Sequence, residues 1–188
     1  MTDPQKLFVA FDRQTLIARG ALRDVARKAK QIADRNATAS ILIFDESSRP
    51  VELDLRGSAD DVANRVQEGV SHAARGPGRP KLGVVAREVT LLPRHWEWLS
   101  SQPGGASVAL RKLVDDARRT NADRDQRREA QDVAYRFMHA MAGDAPDFEE
   151  ATRALFAADE KQFNALTRKW ARDVRDHTRQ LAAPVFVS

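Results

Sequence analysis

The chain has 188 residues, 42% of them hydrophobic and 31% charged, which is apolar enough for a core and too apolar for general disorder. It contains no cysteine, so disulfides, thiol catalysis and cysteine-ligated zinc are excluded. The net charge is +4, and the excess is local: Ser71 to Ala130 carries 12 Lys+Arg against 7 Asp+Glu, while the flanking parts are close to neutral.

The first elements read as a small α+β unit. LFVAF (Leu7 to Phe11) and TLIAR (Thr15 to Arg19) are short apolar runs joined by a turn, a predicted hairpin. After Gly20, Leu22, Val25, Ala26, Ala29 and Ile32 recur at three and four, the stripe of an amphipathic helix. ILIFD and VELDL flank ESSRP and predict a second hairpin with one wet face. Ser58 is placed to cap a further helix whose first turn holds Asp60 and Asp61. The order ββαββα predicts a sheet carrying two helices on one face. Asp12, Asp45, Glu52 and Asp54 are read as strand and turn carboxylates rather than metal ligands.

RGPGRPKLG (Arg75 to Gly83) follows, a basic stretch rich in glycine and proline. GVVAREVTLL reads as a strand by its β-branched content, and Pro93 suits the first turn of a helix with Leu92, Trp96 and Leu99 on one face. PGG breaks the chain, and Ser107 is expected to cap a helix with Leu110, Leu113, Val114 and Ala117 as its stripe. Beyond it the pattern is helical to an apolar tail, APVFVS, expected to pair with a strand or tuck into the core.

The expected architecture is therefore α+β in four parts: an α+β domain over 1–70, a basic linker over 71–83, a strand–helix–helix segment over 84–120, and a helical region over 121–188. No apolar stretch is long enough to cross a bilayer, and MTDPQKLFVAFD places no basic region before a long apolar run. A cytoplasmic location without membrane partners is expected.

Chemistry-bearing motifs are sparse. His72, His95, His139 and His177 are scattered, and none has the HExxH spacing that sets two imidazoles on one helical face. GxSxG, GxxxxGK[ST] and GxGxxG are missing, so no catalytic, cofactor or metal residues are assigned. The basic middle third is the one functional signal, because clustered cations attract phosphate backbones through counterion release.

Gly78, Arg79, Pro80 and Lys81 resemble the core of an AT-hook, an extended arm in the minor groove of DNA. Pro77 stands where that family carries an arginine. Residues 84–119 resemble the ribbon–helix–helix repressors, which pair one strand from each of two chains and lay the ribbon in the major groove. That resemblance implies a homodimer through the strand near Arg87, with the amides near Ser107 at a phosphate. FVAFD, LIFDESSRPVELDLRG, GPGRPKLGVVAREVTLLPRHWEWL and QPGGASVALRKLVD, taken together, resemble an uncharacterised bacterial family, a domain of unknown function, over nearly the whole chain.

Arg75, Arg79, Lys81, Arg87, Arg94, Ser107, Arg111 and Lys112 are thus the candidate DNA contacts. The readings left open are a DNA-binding or regulatory protein, a non-catalytic interaction module in which 75–83 is a linker, and an enzyme with an unrecognised site.

Overall fold

The computed structural model describes residues 6–73, 85 and 87–187, with the backbone alone for 67–73. It is an α+β protein whose described residues hold one three-stranded sheet and eight α-helices. The chain divides into two compact units, Met1–Arg75 with Arg127–Ser188, and Gly76–Gln126.

In the first unit, β1 (Phe8–Asp12) lies between β2 (Thr15–Gly20) and β3 (Ile41–Phe44), antiparallel to both. Alternation along β1 divides its side chains between two faces of the sheet. Ala10, with Ile43 of β3, meets Val25 and Ala29 of α1 (Leu22–Arg35). α2 (Ala59–Ala73) packs on α1, burying Val62 and Ala63, and Arg27 reaches Asp60 across the helix pair at 3.0 Å.

Val9, Phe11 and Phe44 face the other way, into the larger core. There they meet α5 (Ala122–Ala142), α6 (Phe148–Phe156), α7 (Glu160–Leu166) and α8 (Arg172–Phe186). Phe137 of α5 is fully buried at its centre, with ring centroids 5.3 Å from Phe11 and 5.4 Å from Phe44. The helices after Arg127 share this core with the N-terminal sheet rather than forming a body of their own. The expected apolar tail is helical to Phe186, and Ala182 and Val185 are buried in the same core.

The expected second hairpin is half formed. Phe44 bridges to Pro50 and the Val51 amide donates to Ile43 O at 2.8 Å, but no strand runs on through Leu55. Pro50 has no amide to give a ladder. Asp45 Oδ1 accepts from the amides of Ser47 and Arg49, closing a tight loop at Ser48, whose φ is 57°. Asp54 then turns to Arg56 and Arg65 instead of continuing a strand. Those guanidiniums, Arg56 above all, hold its carboxyl well below the usual carboxylate range.

Ser58 caps α2 as expected. Its Oγ accepts from the Asp61 amide while the Asp61 carboxylate accepts from the Ser58 amide and hydroxyl, a reciprocal box.

The second unit contains α3 (Pro93–Ser101) and α4 (Gly105–Thr120), packed on each other. Pro93 takes the first position of α3, where its missing amide costs no hydrogen bond.

Candidate nucleic-acid interface

Five of the eight candidate DNA-contacting residues fall on the described part of the second unit. Arg75, Arg79 and Lys81, with the whole AT-hook-like stretch, lie outside the described residues.

Arg87 is exposed in a segment where the expected strand is not formed: among the described residues, Val85 and 87–92 join no sheet. A strand exists only through a partner's ladder, and no described residue offers one there. Arg94 is exposed in the first turn of α3, and Arg111 and Lys112 are exposed on α4. None of these four cations forms an ion pair with a described residue, whereas Arg119 of the same helix pairs with Asp116.

Ser107 is not a cap. α4 begins two residues earlier, at Gly105, with Gly104 as its N-cap at φ 85° and no side-chain cap. Two successive glycines in the left-handed region make the turn, which other residues adopt only under strain. Ser107 therefore sits inside the first turn. That turn holds no acidic side chain to oppose an anion at the open amides.

The same unit exposes an unusual amount of apolar surface. Among the described residues, eight of the twelve exposed large hydrophobic side chains lie between Val85 and Val114, including Trp98 at 51% and Val114 at 55% of full exposure. Against them, Leu99 and Ala109 are the buried apolar residues of the helix pair. On α4 the stripe of Leu110, Leu113, Val114 and Ala117 follows the three–four spacing, with Lys112 on the opposite side, Arg111 on the flank, and Arg118 bordering the stripe four residues after Val114.

The histidines separate into different environments. His95 and His139 are exposed, whereas His177 is buried under Phe137. Burial, with Arg19 beside it, pushes the His177 imidazole down to about 4. His139 lines a cleft of about 620 Å³ in the first unit together with Gln14, Asp144, Phe148, Lys169 and Trp170. These residues are drawn from three distant parts of the chain at no motif spacing, so sequence reading gave no signal for them. No cluster of three metal-ligating side chains occurs among the described residues, and no described helix is long and apolar enough to cross a membrane.

The fold is that of an α+β protein with a separate helical hairpin. The chain belongs to the family described as an uncharacterized protein conserved in bacteria, DUF2239, whose model matches residues 7–182. No curated protein and no solved structure matches it.

Proposed function

We propose that the chain is a DNA-binding regulatory protein that acts as a homodimer, residues 84–120 being one half of an intertwined strand–helix–helix module. The observation that carries this reading is the exposed apolar stripe on the α3–α4 hairpin. Two helices burying only Leu99 and Ala109 have too little core to stand alone, and exposed apolar surface of this extent marks an association face.

A second copy suits that face for two reasons. The stripe of Leu113 and Val114 is self-complementary about a two-fold axis, and the unpaired segment near Arg87 gains a ladder only from another strand. Association through the stripe leaves Arg111 and Lys112 outward on both copies, doubling the cations offered to a phosphate backbone. Arg94 and Arg87 add to that surface; Arg75, Arg79 and Lys81 extend it in sequence. Val89 and Leu91 are poor base readers, so backbone contacts supply most of the affinity.

The competing reading is an interaction module whose apolar stripe takes another protein. It is favoured by the same stripe and by the acidic Glu88 beside Arg87. Fluorescence anisotropy with a labelled random duplex separates the two. The intact chain binds at low salt, and Leu113→Glu, which leaves every cation in place, weakens binding at least about tenfold by breaking the dimer. Equal binding by the two proteins would remove the dimer from the account, and no binding by either would leave the interaction module.

A further inference from the structure

The first unit holds a cleft that the DNA-binding reading does not use. Its walls come from Gln14 at the β1–β2 turn, from the last turn of α5 with the loop running to Phe148, and from Lys169–Ala171 before α8. Its volume of about 620 Å³ falls within the range of small-molecule sites, roughly 300–1,000 Å³.

Charges of both signs line it. Lys169 and Asp144 are exposed, and neither forms an ion pair with a described residue. Of the charged groups around it, Arg153 pairs with Glu149 and Glu150, and Arg172 and Arg175 pair with Asp176, whereas Asp147 and Arg168 form no ion pair with a described residue. The last turn of α5 adds the carbonyl end of a 21-residue helix, which favours a positive group. Gly143 keeps the chain close to that end, since a side chain there would meet His139 O at 3.0 Å.

An apolar ledge completes the site. Phe148 stacks on Trp170 with centroids 6.5 Å apart and planes at 25°, and the His139 ring stands edgewise to Phe148 at 6.5 Å. Trp170 is buried, its indole N–H donating to Pro146 O at 2.8 Å, so it backs the half-buried Phe148 rather than presenting its own face to the cleft.

We propose that this cleft binds a small zwitterion carrying a planar apolar group, the chemistry of an aromatic α-amino acid. The ammonium lies toward Asp144 and the α5 carbonyls, the carboxylate toward Lys169, and the ring against Phe148. The site does not depend on DNA binding by the second unit.

The test is a titration of the full ¹⁵N-labelled chain, followed by amide and indole resonances, with three probes in separate samples. L-phenylalanine carries both charges, phenylacetate lacks the ammonium, and phenethylamine lacks the carboxylate. L-phenylalanine is expected to give saturable shifts in residues 139–148 and in the Trp170 indole N–H, identified with Trp96→Phe and Trp98→Phe. Each half-molecule binds at least about tenfold more weakly, a loss of about 1.4 kcal/mol per missing charge. Lys169→Glu and Asp144→Lys are surface changes that leave the rest of the spectrum in place and weaken L-phenylalanine by a similar factor. Absence of saturable shifts, a half-molecule binding as tightly as the amino acid, or unchanged binding in both variants would overturn the proposal.

Discussion

Arg19 of β2 donates through Nη2 to Nδ1 of His177 on α8 at 2.9 Å, and the same guanidinium reaches Gln180 Oε1 at 2.6 Å. The imidazole is thereby held neutral, its Nδ1 an acceptor, with its ring edge-on to Phe137 at 4.6 Å and tilted on Phe11 at 5.7 Å. One helical turn away, Asp173 accepts the Leu16 amide at 2.9 Å and so occupies a donor of edge strand β2. Two strand–helix links thus join the N-terminal sheet to the C-terminal helix.

A pH dependence follows from the first link. The folded imidazole titrates near 4, below its ordinary value of 6.5, so in that window the unfolded chain binds more protons. Stability is then full above about 6.5 and falls as pH drops toward 4, by on the order of 2 kcal/mol after allowing for solvent screening. Urea midpoints at pH 7, 5.5 and 4.5 measure it. His177→Asn keeps an acceptor for Arg19 but does not titrate, so its midpoint changes less over this window; parallel curves for the two proteins would remove His177 as the cause.

The shared core predicts a second effect. Phe137→Ala removes a fully buried ring from contact with Phe11, Phe44 and His177 and costs about 3–5 kcal/mol. Because that ring touches both the sheet and α8, N-terminal and C-terminal probes should lose structure together in urea. Separate transitions for the two probes would contradict a single core.

Much of this was legible locally. The β1–β2 hairpin, the α1 stripe, the Ser58 cap and Pro93 at the head of α3 stand where residue spacing and turn chemistry put them. The start of α4 was not, because Gly104 and Gly105 read as a chain breaker while their backbone angles begin the helix. VELDL alternates like a strand, yet Pro50 and the Asp45 turn stop its ladder after Val51. The joining of residues after 127 to the sheet has no local trace, since Phe11 and Phe137 meet only through tertiary packing. The cleft was invisible for the same reason. The basic third was plain from charge alone, but the apolar surface beside those cations needed exposures, not composition.

Gly104 tests the hairpin turn. Its φ is 85°, and a Cβ there would approach Val108 Cβ at 3.1 Å. Gly104→Ala therefore combines left-handed strain with a crowded contact and costs about 1–2 kcal/mol within the second unit. Helical signal from residues 93–120, read by amide exchange, should fall while protection in the first unit is unchanged. Undiminished protection at α4 would show that the turn tolerates a side chain.

The proposed dimer face carries its own prediction. Sedimentation equilibrium should show a reversible dimer for the intact chain and a monomer for Val114→Glu, with far-ultraviolet circular dichroism retained in both. A monomer in the unaltered chain would remove the second copy from the proposal.

DNA binding measured against salt is the most direct test of the proposed basic surface. For the intact chain with a random duplex, the logarithm of the binding constant should fall linearly and steeply with the logarithm of salt concentration, by roughly 0.9 per phosphate neutralised. Arg111→Ala with Lys112→Ala should flatten that slope by about one per lost contact, counted on each copy. A chain that ignores duplex DNA at low salt, or a slope untouched by removing those two cations, would contradict it.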